Sequence, residues 1–142
     1  MNYFTSVKPN LAIVDIVLLV IRIFAGFAML SHGFPKLQQL YSGEEIQFFN
    51  FLGLGEQFSL ILAVFAEFVC SIFIILGLFT RPAVFFLIIT MAVAGLMVHG
   101  ADPFEKRETS LLYLSIYLLL FAFGPGKYSV DYMISRRRES NW

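Results

Sequence analysis

Four runs of predominantly apolar residues, approximately 11–33, 58–79, 82–98 and 109–123, leave this chain few ways to fold in water. A helix needs about 20 such residues to cross a hydrocarbon core roughly 30 Å thick. The first three runs reach or approach that length. The fourth is shorter, so Glu108 and Gly124 are expected at the two interfaces, or the bilayer thins there. Composition agrees: 58% of the 142 residues are hydrophobic and 14% charged, against about 45–50% and 25% in soluble domains. A soluble core of this size cannot hide so much apolar surface. The sequence therefore predicts an all-α integral membrane protein, one domain over residues 1–142, built as an antiparallel bundle of four transmembrane helices.

Ten basic and ten acidic residues balance, so no global field attracts nucleic acid, and that partner is excluded. The lone Cys70 rules out an intramolecular disulfide and a C-x-x-C redox pair. Arg22 interrupts the first apolar run and only Lys8 precedes it as a basic flank, so the run reads as a retained anchor rather than a secretory leader. Thr80-Arg81-Pro82 predicts a tight turn between the second and third helices, with Pro82 in a first turn where its missing N–H costs nothing. Gly124-Pro125-Gly126 stops the fourth. In the long connection after Pro35, residues 44–52 pass from acidic to aromatic and predict a short interfacial helix between helices one and two. Lys8, Arg81, Lys127 and Arg136 to Arg138 collect on one side, Lys36, Lys106 and Arg107 on the other. The excess of positive charge inside then places both termini in the cytoplasm.

Arg22 and Glu67 fall near the middle of their runs, and equal depth predicts a structural ion pair between them. An arginine at that depth costs about 2.5–3.5 kcal/mol on insertion scales. Two roles are open for the pair: holding the bundle in register, or serving a ligand or proton site. At 100° per residue the ionisable groups share a face with small side chains. Asp15, Arg22, Ala25, Gly26 and Gly33 align on helix one, and Ala63, Glu67, Cys70 and Ser71 on helix two. Ala92, Gly95 and His99 align on helix three, and Glu108, Ser115 and Ala122 on helix four. Small faces allow close helix packing. His32, Lys36, His99 and Glu108 gather at the outer helix ends as the mouth of a candidate ligand pocket that also contains Arg22 and Glu67. Lys36 also reads as an interfacial anchor, as Arg81 does more strongly. Tyr113 and Tyr117, one turn apart, border a planar ligand or simply pack. Two isolated histidines without Cys or a Glu-x-x-His partner predict no metal.

Three stretches carry a resemblance: Arg22-Ile23-Phe24-Ala25-Gly26 through His32-Gly33-Phe34-Pro35-Lys36-Leu37, then Leu76-Gly77-Leu78-Phe79-Thr80-Arg81, then Gly124-Pro125-Gly126-Lys127-Tyr128-Ser129-Val130-Asp131. In this order, with Glu67 and His99 between them, the chain resembles the DoxX family of small bacterial and archaeal membrane proteins. The resemblance implies a four-helix membrane bundle in the prokaryotic cytoplasmic membrane and a link to quinone-linked oxidoreductases, since members include a terminal quinol oxidase subunit and relatives assigned to thiosulfate oxidation with quinone. Arg22, His32, Lys36, Glu67, Arg81, His99 and Glu108 match the family's recurrent polar positions. The expected function is that of a membrane subunit binding a quinone headgroup or small oxyanion, with lipid, other oxidoreductase subunits or a second copy of the chain as partners. A lipid- or solute-binding or transport protein and a non-catalytic assembly factor are the alternatives. Quinone is the one cofactor the resemblance suggests, and no catalytic residue is assigned.

Overall fold

In the computed structural model, which describes residues 7–140, helix α1 runs over Leu11–Tyr41. The Asn10 side chain opens it by accepting the Ala12 N–H at 3.1 Å. The helix continues eight residues past the expected end at Gly33. Pro35 lies inside it and removes one donor without breaking it. The interfacial helix expected over 44–52 is absent: residues 44–50 have no helical structure, and only a 3-10 turn follows at Phe51–Gly53. Here side chains take amides in and just after this stretch. Ser59 Oγ accepts from Phe51 N–H and Asn50 Oδ1 from Gly55 N–H, both at 2.9 Å.

Helix α2 follows over Glu56–Leu76 and α3 over Thr80–Val98. Each contains a π-turn, Phe65–Cys70 in α2 and Ala94–Val98 in α3. Helix α4 covers Phe104–Phe123, and α5, Val130–Glu139, follows it. Ser129 caps α5 by accepting the Tyr132 N–H at 3.2 Å, while Arg136 to Arg138 occupy its last turn, where cations oppose the helix dipole. Among the described residues there is no strand, and α1, α2 and α3 are the helices long and apolar enough to cross a membrane. Helix α4 falls short because its first turns carry Glu105, Lys106, Arg107 and Glu108.

Close approach of α1 to α2 sets the register of the interior. Gly26 lies against Ser71 and Ile75, and Gly33 against the backbone of Glu67, so residue numbers rise along one helix as they fall along the other. A Cβ on Gly33 would stand 2.9 Å from the Glu67 carbonyl carbon. That contact is with backbone, which cannot rotate away. We expect Gly33→Ala to lower stability by about 1–3 kcal/mol, the usual effect of overpacking, measured as a fall in thermal midpoint in detergent. Phe24, Phe27, Phe121 and Phe123 stay exposed on the outer surface, as lipid contact requires.

Candidate functional site

Two polar clusters occupy opposite ends of this interior. The first forms where α2 turns into α3. Gly77 takes the left-handed conformation (φ 69°), and Phe79 is also left-handed. Asp131 clamps the turn: its Oδ1 accepts from Phe79 N–H at 2.8 Å and its Oδ2 from Thr80 N–H at 2.9 Å. Its own N–H donates to Gly77 O at 2.9 Å. Arg22 enters from α1, packs its guanidinium on Gly77, and donates to the carbonyls of Pro125 and, at 2.8 Å, of Tyr128. The charge of Asp131 is within its reach. Asp15 adds a bond from Lys127 N–H at 3.0 Å. The segment between α4 and α5 is thereby tied to α1, and the start of α5 to the α2–α3 turn.

This geometry overturns the expected ion pair of Arg22 with Glu67. Arg22 lies level with Gly77 and Glu67 level with Gly33, a separation of ten residues or about 15 Å of helix axis. Glu67 instead pairs with Lys36, whose Nζ stands 2.6 Å from both carboxylate oxygens. The Lys36 side chain is 30% exposed and that of Glu67 4%. Side chains on a helix lean toward its N-terminus, which carries the Lys36 ammonium back from its own level to that of Glu67. Around the pair stand aromatic rings. Phe48 lies 5.8 Å from the ammonium. Tyr117 is fully buried and within electrostatic reach of Glu67. Its hydroxyl has no hydrogen-bond partner. Tyr117 stacks on Tyr113 at 6.0 Å, and Tyr113 meets His32 edge-on at 5.9 Å. Glu67 belongs to the π-turn of α2, a deformation that often marks functional positions.

The DoxX family profile matches residues 17–100, more than half of the chain. The chain belongs to the DoxX family. It is a membrane protein, and no match was found among curated proteins or among solved structures. Of the three stretches that carry the resemblance, Arg22 to Leu37 and Leu76 to Arg81 fall within the matched residues of this DoxX protein and Gly124 to Asp131 lies beyond them, and their placements differ. Gly77 to Thr80, Pro125 to Asp131 and Arg22 make the knot at the α2–α3 turn, whereas His32, Gly33 and Lys36 belong to the second cluster. Of the expected pocket residues, the structure therefore brings together His32, Lys36 and Glu67, and sets Arg22 apart.

His99 and Glu108 stand outside both clusters. Glu108 is exposed near the start of α4. His99 Nδ1 lies 2.8 Å from Asp102 Oδ2 in the α3–α4 connection. That bond, with Lys106 nearby, holds the Asp102 carboxyl below the usual carboxylate range. A depressed carboxyl stabilises the fold above its unfolded-state value, and the contribution is lost as pH falls through the lower folded value. His99→Gln should return the Asp102 titration toward the ordinary range, as followed by carboxyl NMR. Sequence reasoning missed Arg107, whose Nε donates at 3.0 Å to Gly95 O beside the π-turn of α3. It also missed Asp131 as a clamp, although an acid two residues after Ser129 is a helix-start signal. Among the described residues no group of three His, Cys, Asp or Glu side chains gathers to hold a metal.

Proposed function

We propose that this DoxX protein is a membrane subunit of a quinone-linked oxidoreductase system, and that the quinone headgroup is taken at the pair of Lys36 and Glu67. The observation that carries this reading is a partly exposed lysine whose ammonium sits on a buried carboxylate, inside apolar helices, with the unpaired hydroxyl of Tyr117 in electrostatic reach. The donor set fits the group. An ammonium donates to a carbonyl oxygen and favours its reduced, anionic form, and the Tyr113 face suits a planar ring. Bound there, a quinone supplies two-electron, two-proton redox chemistry. Lys36 orients and charges the site, Glu67 holds or returns a proton at its carboxylate, and Tyr117 has a free hydroxyl to donate. His32 stands at the rim, with His99 and Glu108 farther toward the outer helix ends. Arg22, committed to two carbonyls in the knot, takes no part.

In this reading α4 is the fourth span of an antiparallel bundle, and the termini face the cytoplasm of a prokaryotic cell, whose inner membrane holds the protein. Companion subunits supply the electron path, since this sequence has no redox-active cysteine pair. The test is a short-chain azidoquinone applied to the full chain in lipid nanodiscs. Crosslinks should map to residues 33–37 and 113–117, and Lys36→Met should weaken binding by about tenfold, the effect of one charge-assisted hydrogen bond. Equal labelling of the native chain and Lys36→Met would refute the reading.

One observation favours a second reading. Both Glu67 oxygens already meet the same ammonium at 2.6 Å, so the pair satisfies itself. A non-catalytic assembly factor would need it only to fix helix register.

A further inference from the structure

On α5, Asp131, Ile134, Ser135, Arg138 and Glu139 follow the spacing of one helix face. With the Phe79 side chain they wall an open groove of about 510 Å³. The groove is built rather than incidental. Phe79 is held in a left-handed backbone (φ 45°) that strains a bulky residue, and the residue is 61% exposed. Asp131 fixes that backbone through the two amide bonds of the clamp. The groove also lies where α2 ends and α3 begins, at the level where membrane-length helices reach water.

Its chemistry is apolar with a divided charge. Phe79 and Ile134 give the apolar wall. The Asp131 oxygens are occupied by amides, and its charge is felt by Arg22. Among the described residues of the lining, the charges left to a ligand are one cation, Arg138, and one anion, Glu139, with the Ser135 hydroxyl on the same face. We infer that the groove binds a phospholipid whose headgroup joins a phosphodiester to a primary ammonium, as in phosphatidylethanolamine. Arg138 and Ser135 donate to the phosphate, the ammonium donates to Glu139, and an acyl chain lies on Phe79 and Ile134. A choline headgroup has no N–H to give Glu139, and a glycerol headgroup has no cation. Arg136 and Arg137, outside the groove lining, attract anionic lipid in general and confer no such choice. This site is independent of any quinone chemistry.

The test is native mass spectrometry of lipids retained by the full chain after exchange in phosphatidylcholine nanodiscs doped with phosphatidylethanolamine or phosphatidylglycerol. The ethanolamine lipid should be retained about tenfold over the other two, as one charge-assisted bond gives. Arg138→Gln should abolish retention. Glu139→Gln should remove the preference over choline while leaving some retention, and Arg137→Gln should change neither. All three positions are exposed, so the variants fold. Equal retention of the three lipids, stronger retention of phosphatidylglycerol, or an unchanged preference in Glu139→Gln would each overturn the assignment.

Discussion

Arg22→Leu is expected to open the end of the protein where α5 docks, not to empty a ligand pocket. Leucine suits the first helix better in isolation, because an arginine within a span costs about 2.5–3.5 kcal/mol on insertion scales. In the folded chain Arg22 is 1% exposed and its guanidinium is bonded to the carbonyls of Pro125 and Tyr128. Leucine would orphan both acceptors and leave Asp131 without its nearby cation. Leaving buried acceptors unsatisfied costs about 1–3 kcal/mol each. Arg22→Lys should recover only part of it, since an ammonium lacks the planar fork that reaches two carbonyls. The measurement is thermal unfolding with limited proteolysis. New cleavage between residues 124 and 130 and a lowered midpoint are expected, with quinone binding per folded molecule unchanged. A variant that melts normally yet loses quinone would return Arg22 to the ligand site.

The contrast between that expectation and an Arg22 pairing with Glu67 shows where the sequence stops being legible. Apolar length located the helices, because hydropathy is a local property. Relative depth is not local. Counting from the start of each run put Arg22 and Glu67 at one level, but the offset of α1 on α2 is decided by where glycines let backbones meet, Gly26 on Ser71 and Gly33 on Glu67. The eight extra residues of α1 then carry Lys36, read partly as an interfacial anchor, onto Glu67. Residues 44–52 misled for a related reason. Their acidic-to-aromatic order suits an interfacial helix, yet they are flanked by Gly43, Gly53 and Gly55, all with positive φ, and hold Asn50. Those are turn residues, and they outweigh the amphipathic pattern. The π-turns left no mark in hydropathy, since one extra residue per turn does not change which side chains are apolar.

The pair of Lys36 and Glu67 should show an asymmetric response to mutation. Lys36→Met leaves a carboxylate that is 4% exposed with no cation, whereas Glu67→Gln leaves an ammonium on a flexible stem that is already 30% exposed. Lysine can withdraw toward the interface. Glutamate, held in a π-turn against Gly33, cannot. Lys36→Met should therefore cost about 3–5 kcal/mol, the penalty for a stranded buried charge, and Glu67→Gln clearly less. Lys36→Met with Glu67→Leu removes both charges, and its stability should approach that of the native chain; with Glu67→Leu as the other single variant, the cycle then shows a coupling of at least about 3 kcal/mol. Stability alone does not separate the two readings of the site, because either predicts this rescue. Quinone binding does. If the double variant is stable and still supports the oxidoreductase system, the pair is a register device. If it is stable and no longer takes quinone, the charges were retained in the membrane for the ligand, because the fold has then been shown to stand without them.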